Sequence, residues 1–84
     1  MNLPPEVISY LNDNAASQGA PPPEPEDDLF ESGVLDSFTL VDFVTLLEGQ
    51  SGIQIPDADV RPENFKSMEA VGRYVEARRR GDAG

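Results

Sequence analysis

The central segment of the chain carries apolar residues at helical spacing. Between residues 37 and 48 they recur at i, i+3, i+4 and i+7, which predicts an amphipathic helix. The residues expected on its buried side are Leu40, Phe43, Val44 and Leu47. We expect Gly49 and Gly52 to end this helix, because glycine is common immediately after a helix C-terminus.

The N-terminal segment predicts a first helix that begins at Pro4 or Pro5 and ends near Asp13, with Gly19 following. Proline is favourable in a first helical turn, and Glu6 complements the positive end of the helix dipole. Apolar residues recur at helical spacing along this segment: Leu3, Val7, Tyr10 and Leu11.

Residues 20–28 contain four prolines and cannot form a helix or a central strand. We predict an extended, semi-rigid connection. A proline-rich ligand for an SH3-type domain is the alternative interpretation. We favour the connection, because the run is short and lies between two apolar segments that must pack against each other.

The C-terminal third predicts shorter pieces. Residues 53–56 alternate apolar and polar side chains, as an extended packing segment does, and residues 62–64 fit one helical turn before a core residue, Phe65. Ser67 is a suitable N-cap for a last helix that ends near Arg80. Its core face would be formed by Met68, Val71 and Val75, with Tyr74 at the edge.

We therefore predict an all-α fold, a small four-helix bundle with a short third helix and a long Pro-rich first loop. Residues 1–80 would form one domain and residues 81–84 a flexible tail.

Composition excludes several classes of activity. The 84 residues include no cysteine and no histidine, so the chain has no Cys/His zinc site and no Ser-His-Asp or Cys-His arrangement. A P-loop, a dinucleotide fingerprint and a calcium-loop spacing of carboxylates are also missing. We expect a protein that is not an enzyme, with no catalytic residue and no metal site. The most apolar run, residues 38–47, is too short to span a membrane, and we expect a soluble, monomeric, cytoplasmic protein.

Charge is distributed unevenly along the chain. Residues 1–60 hold twelve carboxylates and no Lys or Arg, whereas residues 61–84 hold six basic and four acidic side chains, for a net charge of −10. An acidic surface repels nucleic acid and favours basic patches on partner proteins. The alternative interpretation is that the acidic surface only keeps a small protein soluble. Three consecutive arginines, residues 78–80, are interpreted as a complement to the negative end of the last helix.

One serine stands out at the start of the central helix. Ser37 follows Asp36 and precedes Phe38, which places a hydroxyl in the first helical turn, at the positive end of the dipole. Serine is itself a common N-cap, but Asp36 can supply the cap and leave Ser37 free. The run Gly33-Val34-Leu35-Asp36-Ser37-Phe38 resembles the attachment motif of acyl carrier proteins. In that family the serine after the aspartate carries a 4'-phosphopantetheine arm, and leucine usually follows where this chain has Phe38.

The resemblance covers nearly the whole chain, from Leu3 to Arg79, and is most specific over residues 28–47. It implies an acyl carrier protein that presents acyl intermediates as thioesters on a covalent 4'-phosphopantetheine arm at Ser37, for fatty-acid, polyketide or related biosynthesis. A negatively charged arm would be favoured there by the helix dipole and free N–H groups. Two alternatives remain: an aminoacyl, D-alanyl or peptidyl carrier, and an unmodified acidic protein-interaction module. Thr39 stands where fatty-acid carriers commonly have an acid, and Leu40 where they have a small polar residue.

The same resemblance implies partners. These are a phosphopantetheinyl transferase, an acyl- or aminoacyl-loading ligase, and biosynthetic enzymes with basic docking patches. Residues outside the core stripe of the central helix are the candidate partner-binding residues: Phe38, Val41, Asp42, Thr45 and Glu48. Asp42 and Glu48 fit a plain solvated helix face equally well.

Overall fold

The computed structural model describes residues 3–81, and within that range it contains helices and no strand. The α-helices are α1 (Pro5–Ser17), α2 (Ser37–Ser51), α3 (Pro62–Phe65) and α4 (Met68–Arg79). A 3-10 turn, Asp57–Asp59, lies between α2 and α3. The predicted all-α bundle with a short third helix is confirmed. Most of the predicted tail, residues 82–84, lies outside the described residues.

The buried face of α2 is the predicted one: Leu40, Phe43, Val44 and Leu47 are all buried. The predicted core plug, Phe65, is fully buried as well. A chain of ring contacts crosses the core from α1 to α4, with centroid distances of 6.0, 6.4 and 5.3 Å: Tyr10–Phe43, Phe43–Phe65 and Phe65–Tyr74. Such edge-on and tilted pairs stabilise beyond the area that they bury.

The prediction that α1 ends near Asp13 is wrong, because the helix continues to Ser17. Ala15 lies one turn after the buried Leu11 and is itself fully buried, so the core-facing stripe extends past the polar run. The side chain of Asn14 also has a partner on another element, since its Nδ2 donates to the carbonyl of Val34 at 3.2 Å. Tertiary contacts therefore outweigh the low helix propensity of this run.

The expectation for the end of α2 is half right. Gly49 lies inside the helix and does not terminate it, whereas Gly52 is the C-cap, with a left-handed φ of 70°. The Gly52 N–H donates to the carbonyl of Glu48 at 3.0 Å. Only the second glycine occupies a conformation that L side chains rarely adopt, and the helix ends there.

The Pro-rich connection forms no helix or strand between residues 20 and 24, and a turn begins at Pro25. Two backbone hydrogen bonds hold the second half of the connection, and the residue after it, against the end of α3 and the start of α4. The N–H of Glu69 donates to the carbonyl of Pro25 at 3.1 Å, and the N–H of Leu29 donates to that of Lys66 at 2.6 Å. The connection is thus held in place where it leads into the segment before α2.

The arginines at the end of α4 do more than complement their own helix. Arg78 Nε donates to the carbonyl of Gln54 at 3.1 Å, and Arg79 donates to that of Ser51 at 3.3 Å. Both acceptors lie where α2 ends and the extended segment begins. The basic C-terminal helix is therefore joined to the C-terminal end of α2, where carbonyl groups favour positive charge.

Candidate functional site

The first turn of α2 is capped by Asp36. Its Oδ1 accepts hydrogen bonds from the N–H groups of Phe38 and Thr39, both at 2.9 Å. In return the N–H of Asp36 donates to Thr39 Oγ1 at 2.8 Å, which completes a capping box. The backbone donors of Thr39 and Phe38 hold the pKa of the Asp36 carboxyl below its ordinary value. The hypothesis that Asp36 supplies the cap is confirmed.

Ser37 is the first residue of α2, and its side chain is exposed. Within residues 3–81, no hydrogen bond engages its hydroxyl. A 15-residue helix directs the positive end of its dipole toward this position. The site therefore offers an accessible nucleophilic oxygen that the fold itself does not use.

The expectation of free N–H groups beside Ser37 needs a correction. Two N–H groups of the first turn, those of Phe38 and Thr39, are already bonded to Asp36. A negative charge on Ser37 would therefore be favoured by the helix dipole, but it would also lie beside the Asp36 carboxylate. The helix dipole and the neighbouring carboxylate thus act in opposite directions on such a charge.

Buried side chains anchor the segment that leads to Ser37. Leu29, Val34 and Leu35 are buried, while Asp36 and the two residues after it are exposed. Asp28 begins the segment as a local cap, since its Oδ1 accepts from the N–H groups of two later residues, Phe30 and Glu31, at 2.9 Å. The chain is thus fixed on the core immediately before it presents the serine.

The predicted partner-binding face of α2 is exposed over most of its length. Phe38 is 85% exposed and Val41 is 60% exposed, unusually high fractions for large apolar side chains. Asp42 and Thr45 are exposed beside them. The placement of Phe38 outside the core stripe of this helix is confirmed.

Glu48 differs from the rest of this face. Its side chain is half-buried, and its Oε2 accepts the N–H of Ile55 at 2.8 Å. A cleft of about 400 Å³ lies between α2 and residues 55–60, and Val41, Val44 and Thr45 form part of its lining together with Glu48. Glu48 therefore joins α2 to the segment that follows it, in addition to any role in binding a partner.

The contribution of α1 to the site was missed from the sequence. The side chains of Asn14 and Gln18 donate to the carbonyls of Val34 and Gly33, just before the capped turn. A signal did exist in the four-residue spacing of these amides, but the segment that they contact lies far along the chain.

Among residues 3–81 the structure contains no cluster of three side chains suited to a metal ion, and no helix with the length and apolar character needed to cross a bilayer.

Comparison with known proteins identifies the family of this chain. Residues 15–75 match the family model described as the phosphopantetheine attachment site. A D-alanyl carrier protein of Enterococcus faecalis is 32% identical over 77 residues, which cover 92% of this chain and 97% of that protein. Aminoacyl carrier protein 2 of Bradyrhizobium diazoefficiens is 32% identical over 69 residues, which cover 82% of this chain and 73% of that protein. The cofactor of this family is covalent 4'-phosphopantetheine, as the resemblance implied. The chain belongs to the phosphopantetheine-dependent carrier proteins, a family of carrier domains that catalyse no reaction themselves.

Proposed function

We propose that Ser37 is the residue to which the 4'-phosphopantetheine arm is attached. The observation that carries this proposal is the division of roles at the start of α2. Asp36 makes the capping hydrogen bonds, and the exposed Ser37 hydroxyl beside it has no structural partner among the described residues. A transferase can therefore modify this oxygen without disrupting the helix.

The residues around Ser37 fit such an arm. The hydroxyl oxygen can form the phosphodiester bond, and the α2 dipole favours the negative charge that this bond brings. When attached, the arm supplies the thiol that the chain, which has no cysteine, lacks. The buried residues before Asp36 fix the segment, and the exposed first turn leaves space for a partner enzyme.

The partner surface that we propose is the exposed side of α2. Phe38 and Val41 would enter a shallow apolar depression on the partner, and Asp42 would meet a basic rim. An interface with an apolar centre and complementary charges suits short-lived complexes with several enzymes. Phosphopantetheinyl transferases and loading ligases are the partner classes that we propose.

The cargo that we infer is an amino acid joined to the arm. The two relatives described above are named as a D-alanyl carrier and an aminoacyl carrier, which supports this inference. Fatty-acid or polyketide intermediates, the first expectation from the sequence, draw no support from these names. The cytoplasmic location stays a prediction.

Intact-protein mass spectrometry tests the attachment site. The purified protein is incubated with coenzyme A and a promiscuous phosphopantetheinyl transferase, and we expect one arm per chain. Ser37→Ala should abolish the addition and retain the helix content, because the cap belongs to Asp36. Ser9→Ala is the matched control, since Ser9 is an exposed serine on α1 whose hydroxyl has no partner among the described residues, and it should be modified like the wild type. A modified Ser37→Ala protein, or a wild type that several transferases leave unmodified, would contradict the proposal.

The cargo has a separate test. The modified protein is incubated with ATP, a mixture of amino acids or of fatty acids, and a panel of loading ligases, some specific for amino acids and some for fatty acids. We expect a mass increase with an amino-acid ligase and none with the fatty-acid ligases. The reverse result would assign this carrier to acyl-chain biosynthesis while leaving Ser37 as its attachment site.

A further inference from the structure

Three polar side chains of α1 and its C-cap donate hydrogen bonds to backbone carbonyls on both sides of Ser37. The donors stand four residues apart, which places them on one side of the helix. We call them the donor stripe, and the bonds are Tyr10 to Thr39 (3.3 Å), Asn14 to Val34 (3.2 Å) and Gln18 to Gly33. Two of the acceptors precede Ser37 and the third follows it.

The contact with Gln18 depends on the glycine at its acceptor. Gly33 has a φ of +86°, and a Cβ on it would lie 2.8 Å from Gln18 Oε1. A side chain at this position would therefore be strained in its backbone and would collide with the amide that holds the segment. The glycine permits both the turn and the close approach of α1.

Hydrogen bonds within the segment before Ser37 engage the N–H groups of Gly33 and Leu35. The N–H of Gly33 donates to the carbonyl of Phe30 at 3.1 Å, and the N–H of Leu35 donates to that of Leu29 at 2.9 Å. The carbonyls of Gly33 and Val34, by contrast, accept from the donor stripe. Internal bonds thus give the segment its shape. The donor stripe holds it on the bundle together with its buried side chains and the bond from the Leu29 N–H to Lys66.

We propose that the donor stripe positions Ser37 for modification. Its members act through the backbone at residues 33, 34 and 39, which they hold in the arrangement that a phosphopantetheinyl transferase binds. Without the stripe, the transferase would have to order this backbone during binding, and affinity would fall while the chemical step stayed unchanged. The inference rests on the proposed attachment at Ser37.

The test compares steady-state kinetics of arm transfer from coenzyme A by one purified transferase. The variants remove each donor with little change in size: Tyr10→Phe, Asn14→Leu, Gln18→Met and the triple substitution. We expect KM for the carrier to rise roughly fivefold on loss of a donor, as one hydrogen bond's net contribution implies, with kcat within about twofold of wild type. The triple variant should show the largest rise.

Matched controls come from the same residue types. Asn12, on α1, and Gln50, in the last turn of α2, make no side-chain hydrogen bond with another described residue. Asn12→Leu and Gln50→Met should therefore leave KM at the wild-type value. Amide hydrogen exchange of the unmodified triple variant should be faster at residues 33–39 and unchanged in α4, a pattern that general loss of stability does not produce.

The outcomes separate this inference from the proposed function. A wild-type KM for the triple variant would overturn the inference alone, as would an equal rise in KM for the control variants. A rise in KM that merely follows a lower folded fraction, measured by circular dichroism under the assay conditions, would also overturn it. A wild type that no transferase modifies would overturn the proposed attachment and this inference together.

Discussion

At the scale of single residues, Asp36 and Ser37 differ in what their side chains are bonded to. Asp36 accepts two backbone N–H groups, while the hydroxyl of Ser37 is exposed at the same helix end. Residue type and position were enough to predict this division, because aspartate is among the best N-caps. The bond from Asp36 N–H to Thr39 Oγ1 was not predicted, although threonine three residues after the cap is close to a capping-box pattern.

The lowered pKa of Asp36 predicts an acid-dependent loss of stability. A folded-state pKa below the unfolded value, about 3.9, gives stability that is present above that value and lost as pH falls through the folded pKa. Asp36→Asn keeps the cap without a titrating group. We expect its urea midpoint to differ from that of the wild type by a constant amount above about pH 5 and to converge or cross below about pH 4. A difference that does not change between pH 2.5 and 7 would show that this carboxylate does not contribute through its charge.

The raised pKa of Tyr74 predicts a loss of stability at high pH. Burial, and then the hydrogen bond that it donates to Asp59 at 2.7 Å, raise its pKa to about 12. The protonated form is favoured in the fold, so its contribution to stability is complete below the unfolded pKa, about 10, and is lost as pH rises through about 12. Ultraviolet titration of tyrosinate in a Tyr10→Phe background, where Tyr74 is the remaining tyrosine, measures this directly. Asp59→Asn should lower the pKa, and a midpoint near 10 in the unsubstituted Asp59 protein would refute the assignment.

At the scale of helices, the spacing of apolar residues predicted correctly which face of α2 is buried. The α2 stripe was found because a spacing of three and four residues alone decides which side chains share a face. The last turn of α1 was not found, because its stability depends on the burial of Ala15 and on a bond from Asn14 to a segment twenty residues away. The bond that the Ile55 N–H donates to Glu48 was missed for a similar reason, since Glu48 has the sequence context of an exposed residue.

The two faces of α2 predict different costs of truncation. Phe43 is fully buried and contacts the rings of Tyr10 and Phe65, so Phe43→Ala should cost about 3–5 kcal/mol. Thr45 is exposed, and Thr45→Ala should change the free energy of unfolding by no more than about 0.5 kcal/mol. Urea titrations followed by circular dichroism provide both values. Phe43→Leu is the milder companion, because a loss of the larger size could unfold a domain this small. Equal midpoints for the two alanine variants would contradict the orientation of the helix.

At the scale of the whole molecule, the fold brings the basic C-terminal helix into contact with the acidic part of the chain. All twelve carboxylates of residues 1–60 precede the first basic residue, yet Arg78 and Arg79 of the basic helix α4 contact the end of α2 and the loop after it. The charge totals were predictable, whereas these contacts were not, because they join parts of the chain that only the fold brings together. The same limit applies to the donor stripe, whose acceptors lie on another element.

The docking of partner enzymes gives the prediction at this scale. If Asp42 meets a basic rim, Asp42→Lys should slow modification mainly by slowing association, and the wild-type rate should fall as salt rises. Surface attraction is screened beyond a Debye length of about 8 Å at physiological ionic strength, so the defect of Asp42→Lys should shrink as salt is added. Asp13→Lys, a reversal at an exposed position on α1 outside its first turn, is the matched control for net charge.

Phe38→Ala completes the salt series, because an apolar anchor acts through desolvation rather than long-range attraction. Phe38 is 85% exposed in the free protein, so its truncation should lower the modification rate with little effect on stability. Its defect should stay nearly constant as salt rises, in contrast to that of Asp42→Lys.

Glu48→Lys is less suitable, because it would also remove the bond to the N–H of Ile55. Wild-type rates for Phe38→Ala and Asp42→Lys at every salt concentration would show that α2 is not the recognition surface. Equal defects for Asp13→Lys and Asp42→Lys would assign the salt effect to net charge rather than to this face.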